Sequence, residues 1–305
     1  MRTAEGRAHL AISIAAVAVF AWGFGPLLVR GIDASAGTIV FWRLWIAMPV
    51  MLGAAYFTGG RVSLPLLKAV FIPGVLFGIS TLVGFSSYQS TSIANATLIG
   101  ALQPVLMLFL GPLLFGDRSG SRQILLAVIA LGGISTVVLG ANQSSGASLH
   151  GDVLALINLG LFTTYFVRMK QVRNRGIHSI ALIAGVFCVA AFTVTPWVLL
   201  TSHDMGAIHG ADWFSILGMV VLSGLVGHGL MTWAQRHVDI TVASLLMLGG
   251  PVISAVGAWI VFSQQLSPLQ IAGALVVLAA LGAIVLDVRS TPVPVEIPLS
   301  ISAGD

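Results

Sequence analysis

"FGDRSGSRQ" at residues 115–123 and "FSQQLSPLQ" at residues 262–270 stand 147 positions apart. Each follows a proline set in an apolar run: Pro104 in "ALQPVLMLFLGPLLF" and Pro251 in "LGGPVISAVGAWIVF". At that single offset Pro104 falls on Pro251, Phe115 on Phe262 and Gln123 on Gln270. The first copy carries Asp117, Arg118 and Arg122; the second carries no charge. The segment recurs, but its charges do not, and the reason lies in the rest of the chain.

Charged residues make up 8% of the 305 and apolar residues 57%, with a mean hydropathy of +1.01. A soluble domain carries about 25% charged residues, so this composition belongs to a membrane protein. The net charge of +4 does not signal nucleic-acid binding, because the 14 basic residues are spread over short loops and form no basic face. The one cysteine, Cys188, has no partner for a disulfide or a thiolate metal site. The seven histidines are scattered, so no metal or cofactor is expected.

A bilayer-crossing helix needs about 20 mostly apolar residues. Ten such spans can be drawn, at 10–29, 37–57, 66–87, 93–115, 122–140, 151–169, 177–200, 213–235, 240–262 and 268–287. The run from Ala69 to Gly116 holds 48 uncharged residues, too many for one crossing, and divides at "SYQSTS". The first span is too long for a signal-peptide core and lacks a clear cleavage site. The expected layout is a cytoplasmic segment at 1–9, a five-helix unit at 10–140, an external linker at 141–150, a second five-helix unit at 151–287 and a disordered cytoplasmic tail at 288–305. Both termini are placed in the cytoplasm, because 12 of the 14 basic residues then fall on the inner side. The tryptophans gather toward span ends, as in an interfacial belt.

Five spans are an odd number, so the second unit enters the membrane from the opposite side. The loop after the fourth span lies inside and keeps its cations; its counterpart after the ninth lies outside and loses them. The fold class is therefore all-α, with ten transmembrane helices in two inverted five-helix repeats. Such repeats can exchange conformations around a midplane site, which is the logic of a transporter.

These residues resemble the drug/metabolite transporter superfamily in its ten-span, EamA-type branch. The first half matches with Trp22-Gly23, Arg43 in "FWRLWIA", "STSIANATLIGALQP" leading to Pro104, then Asp117 and Gln123. The second matches with "DITVASLLMLGGP" and Pro251, then Gln270, Gly273 and Gly282 in "LQIAGALVVLAALGAIVL". The resemblance covers residues 10–287. Asp117 stands where the family usually has Glu, Gln264 at the matching place in the second half, and Leu126 for a glycine. The resemblance is closest to bacterial inner-membrane amino-acid exporters, aromatic ones included. It leaves open proton-driven drug or metabolite efflux and sugar or nucleotide-sugar transport.

Thr81 and Tyr88 share a small-polar face of the third span with Ser80, Gly84 and Ser87, and at the same offset they fall on His228 and Gln235 in the eighth. Matching polar faces on paired helices suggest a shared cavity, although the Gly and Ser positions read equally as close helix packing. Asn95 and Asn158 are the asparagines within spans, and an amide can both donate and accept. Tyr165, Ser244 and Trp22 complete the expected substrate cavity, and Pro104 and Pro251 shape their helices. Arg43 is the one permanent charge well inside a span rather than at its end. It reads either as a gate that takes a substrate carboxylate or as a structural charge bonded to backbone carbonyls.

No Asp or Glu lies deep in any span, which argues against cation antiport on a buried carboxylate. His228 remains as a titratable group, and hydroxyl and backbone oxygens would serve a sodium ion. An intramembrane enzyme is a remote alternative, since no nucleophile or metal motif occurs. The expectation is a multi-pass transporter, not an enzyme, that exports amino acids by alternating access and facilitated diffusion. It needs the lipid bilayer, a small-molecule substrate, no nucleic acid and no obligatory protein partner.

Overall fold

The computed structural model describes residues 2–91, 93–115, 120–141, 148–173, 175–235, 237–238, 242–243, 246–262 and 268–290. Among them every regular element is helical. In chain order these are α1 (Arg2–Gly23), α2 (Gly25–Arg30), α3 (Ala36–Phe57), α4 (Leu64–Ala69), α5 (Phe71–Ser90), α6 (Ile93–Gly100), α7 (Gln103–Phe115), α8 (Ser121–Ala141), α9 (Leu149–Arg173), α10 (Ser179–Thr201) and α11 (Asp212–Gly218). A π-helical segment, Met219–His228, leads into α12 (Gly229–Ala234), and α13 (Gly249–Phe262) and α14 (Pro268–Ser290) follow.

Six helical stretches are long and apolar enough to cross a membrane: Leu10–Arg30, Ala36–Phe57, Phe71–Ser90, Leu149–Arg173, Ser179–Thr201 and Asp212–Ala234. The apolar helices Ser121–Gly133 and Ile271–Ala280 are shorter. The chain is thus a multi-pass membrane protein, and large exposed apolar residues such as Phe57, Leu113, Leu200 and Phe214 have lipid as their solvent.

Several expected spans are broken rods. The first divides at Phe24, just before Pro26 in the first turn of α2. The expected span 93–115 divides at residues 101–102. Pro104 then falls in the first turn of α7 and Pro251 in the first turn of α13, where a missing N–H removes no helical hydrogen bond. The eighth rod is continuous but carries the ten-residue π segment. Most of the recurring loops, residues 116–119 and 263–267, lies outside the described residues. So do 142–147 of the expected external linker and 291–305 of the expected tail.

Hydrogen bonds join the rod ends into two faces. One holds residues 34–38, 89–91, 148–152 and 202–205; the other holds residues 170–173 and 235–238. The packing has a two-fold pattern. The first rod corresponds to α9, α3 to α10, α5 to the π segment with α12, α6–α7 to α13, and α8 to α14. Under that exchange, α5 on α9 is answered by α1 on the π segment and α12, and α6 on α9 by α1 on α13. The pairs α3–α10 and α8–α14 map onto themselves.

The largest core cluster joins α3, α5, α9 and α10 through residues such as Leu44, Phe77, Tyr165 and Phe187. Here α5 approaches α10 on glycine. A methyl at Gly74 would lie 2.5 Å from Val189 Cβ, a branched atom that cannot swing aside. Gly74→Ala is therefore expected to cost about 1–3 kcal/mol, read as a lower melting temperature in detergent. Gly53→Ala, inside α3 with nothing within 4 Å of the new methyl, should hold or raise the melting temperature, because alanine favours helix over glycine by about 0.5–1 kcal/mol. Equal melting temperatures for the two variants would refute the close α5–α10 contact.

Candidate substrate cavity

A cavity of about 250 Å³ lies between the first rod, α3, α5, α6, α9, the π segment and the start of α13. The helix irregularities converge on it. Gly23, Gly25 and Pro26 line it at the break in the first rod, Gly100 and Ala101 at the break before α7, Ser223 and His228 from the π segment, and Gly250 and Pro251 at the start of α13. Irregular helix of this kind gathers at functional sites, because it moves backbone polar groups off the regular ladder.

Side chains from other rods meet those irregular points. The Trp22 indole Nε1 donates to the Ser223 carbonyl at 3.0 Å, and the Ser254 hydroxyl donates to the Gly23 carbonyl at 2.7 Å. The indole fits because residue 227 is glycine; a Cβ there would collide with it. Ser80 donates to the Asn158 amide oxygen at 2.7 Å, with the same amide packed against Gly84. Thr81 donates to the Phe77 carbonyl at 2.8 Å. His228 sits in an aromatic box, its ring 4.8 Å from both Trp22 and Phe77 and 5.9 Å from Phe187.

Arg43 is the charge in this cavity. It is 4% exposed, and its guanidinium lies 5.3 Å above the Phe85 ring. Its Nε has no hydrogen-bond partner. Among the described residues no carbonyl accepts from it and no carboxylate lines the cavity.

Of the residues singled out in the sequence, Trp22, Arg43, Thr81, Tyr88, Asn158, His228 and Pro251 line the cavity. Tyr165 does not. It shares α9 with Asn158, but seven residues on is about 10 Å along the helix. It packs in the core against Phe77 and Phe162 and lines a separate void of about 10 Å³ with Trp22, His228 and Gln235. The side chains of Asn95 and Pro104, and residue Ser244, lie outside the described residues.

Gln103 and Ser254 went unrecognised in the sequence. Gln103 is 3% exposed, and its amide nitrogen has no partner. It stood in plain sight as the polar residue before Pro104, as Ser254 stood one turn after Pro251. Phe77 and Phe85 carry no signal that separates a cavity wall from a core.

The two sets of rod ends are tied differently. At one, Asp204 accepts hydrogen bonds from the Ser35 amide and hydroxyl and from the Thr38 hydroxyl. There Gln89 donates to the Ala34 carbonyl at 2.8 Å and accepts from the Ala36 amide at 2.9 Å. At the other end the cations expected as loop charges are buried instead. Lys170 Nζ donates to the Gln235 and Val238 carbonyls at 3.2 and 3.0 Å. Arg173, 0% exposed, donates to the Gln235 side-chain oxygen at 2.6 Å and to its carbonyl at 2.7 Å. The end of α12 leaves carbonyls that the helix cannot satisfy, and cations there also suit its negative dipole end.

The model of the EamA-like transporter family matches the chain twice, at residues 9–139 and 149–286. A pseudopaline exporter, CntI, of Pseudomonas aeruginosa (strain UCBPP-PA14) is 22% identical over 272 residues, covering 88% of this chain and 93% of that protein. The exporter of the same name from strain PAO1 matches equally. A solved crystal structure superposes with a TM-score of 0.76 at 19% identity, covering 92% of this chain and 99% of the other. At that identity it speaks for the fold alone.

Asp204 supplies a pH test of one end. Burial works against its charge, but the hydrogen bonds from Thr38 and Ser35 outweigh it and hold the carboxyl below the ordinary range. A lowered folded-state pKa means that the contribution is present above the unfolded value, about 4, and is lost as pH falls through the folded value. The difference in melting temperature between wild type and Asp204→Asn should be constant above about pH 5 and close below about pH 4. A difference that persists unchanged to pH 3 would exclude this carboxylate cap.

Proposed function

The chain belongs to the EamA-like transporter family, and we propose that it exports amino acids, hydrophobic and aromatic ones included, across the bacterial inner membrane by alternating access. The observation that carries this reading is Arg43, a buried guanidinium facing an aromatic-walled cavity with no acid to pair with. A guanidinium there matches a carboxylate in a two-pronged hydrogen bond. Trp22, Phe77, Phe85, Tyr88 and Phe162 then offer walls for an apolar side chain, and Asn158 and Gln103 offer amides for the polar remainder. A volume of about 250 Å³ is at or below the small end of drug-sized pockets, about 300–1,000 Å³, and suits one amino acid.

The two family matches and the exchangeable packing pattern support ten spans in two inverted repeats. In that reading the units are 10–140 and 151–287, and the termini are cytoplasmic. The end bound by Asp204 and Gln89 then faces outward, and the end bound by Lys170 and Arg173 faces the cytoplasm, as the positive-inside rule asks. Transport alternates by releasing one set of ties and forming the other. Movement is facilitated, because no carboxylate lies deep in a span for proton exchange. The same lack disfavours export of drug-like cations. The relative from Pseudomonas aeruginosa exports pseudopaline, and what comes from it to this chain is the direction of transport, outward.

Counterflow in proteoliposomes tests the reading. Vesicles loaded with unlabelled phenylalanine should accumulate labelled phenylalanine without a pH gradient. Removing a hydrogen-bonded charge costs about 1.5–3 kcal/mol, so Arg43→Gln should raise the half-saturating concentration by about 10- to 100-fold. Unchanged exchange in folded Arg43→Gln would refute the assignment of the carboxylate to Arg43.

A further inference from the structure

The cavity has a charge for one end of an amino acid and none for the other. Its cation, Arg43, faces no Asp or Glu among the lining residues. The ten acids of the chain stand at 5, 33, 117, 152, 204, 212, 239, 287, 296 and 305, in loops, tails or span ends. An α-ammonium would otherwise turn to backbone carbonyls at the helix irregularities. Two of those, Gly23 and Ser223, already accept from Ser254 and Trp22, as the Phe77 carbonyl in α5 does from Thr81. One unused group argues the other way: the Gln103 amide nitrogen is a buried donor with no acceptor, while the unpartnered Ser223 hydroxyl can serve either a donor or an acceptor.

We propose that the cavity also carries monocarboxylates with no α-ammonium, namely N-acyl amino acids and 2-hydroxy or 2-oxo acids with apolar side chains, and that it holds them more tightly than the zwitterions. The inference rests on the reading of this cavity as the transport site. A carboxylate on Arg43 cancels the guanidinium charge. The ammonium of a zwitterion then restores an unbalanced cation in a water-poor site, close to the guanidinium that the carboxylate has just neutralised, and such a charge is costly without a counter-ion. Capping the nitrogen, or replacing it with oxygen, removes that cost. It also adds an acceptor where the Gln103 amide has none.

The test uses purified full-length protein in liposomes at pH 7.5, with protein-free liposomes to subtract passive leak. Counterflow of labelled L-phenylalanine is set against that of N-acetyl-L-phenylalanine and of 3-phenyllactate, with phenethylamine as a competitor. The expected result is exchange of both acids at half-saturating concentrations about tenfold or more below that of phenylalanine, with no competition by phenethylamine. Gln103→Leu should weaken N-acetylphenylalanine more than phenylalanine. If phenylalanine half-saturates below both acids, the inference is overturned and amino-acid export stands. If the acids exchange and phenylalanine does not, the inference holds and amino-acid export falls. If nothing exchanges in protein that melts cooperatively, both fall.

Discussion

Within a bilayer the backbone must satisfy its own polar groups, and this constraint organises the molecule. A regular helix meets it along its length, and every departure has to be answered by another group. Here the departures are the break at Phe24, the break at 101–102, the π segment and the turn at 247–248 before α13. They meet around one cavity, and donors from distant rods reach the carbonyls there. Trp22 answers Ser223, Ser254 answers Gly23, and at the end of α12 Lys170 and Arg173 answer Gln235. The bonds that make irregular backbone tolerable are the same bonds that hold the rods around the site.

The packing pattern is nearly exchangeable between the halves, but the chemistry at the two ends is not. Gln89 and Gln235 sit one residue apart when the repeats are aligned at 147, and each amide bridges to a neighbouring rod. Gln89 makes neutral bonds to Ala34 and Ala36, while Gln235 takes a buried guanidinium and shares its carbonyl with a buried ammonium. Charge-assisted hydrogen bonds away from water are the stronger kind. One face is thus tied through a carboxylate, Asp204, and neutral amide bonds, and the other through buried cations on a backbone carbonyl.

Much of the fold was legible because lipid imposes a simple rule on composition and length. The charge-free runs marked the helical rods, and the offset that aligned Pro104 with Pro251 marked the corresponding parts of the two halves. What escaped was finer than periodicity. A broken or π-wound rod has the same apolar composition as a straight one, so the divisions at Phe24 and 101–102 and the Met219–His228 segment left no pattern. Lys170 and Arg173 looked like solvated loop charges because the sequence does not show that α12 ends beside them. Tyr165 looked like a cavity residue because helical spacing reports the face and not the depth. Gln103 was hidden by its neighbour, since the proline drew the structural reading.

The recurring segment that loses its charges and the arginine that keeps its own follow from one principle. Among the described residues buried charge is met by polar groups, with one exception. Lys170 and Arg173 are buried but bonded to carbonyls. Asp204 lies at a rod end and is held by three donor groups. Arg43 alone among these is buried with an aromatic ring as its company. A cation–π contact contributes about 0.5–2 kcal/mol, whereas removing an ion from water costs several. The packed chain does not offset that difference. On the proposed function the remainder falls to the transported substrate, and an occupant that neutralises a guanidinium is an anion.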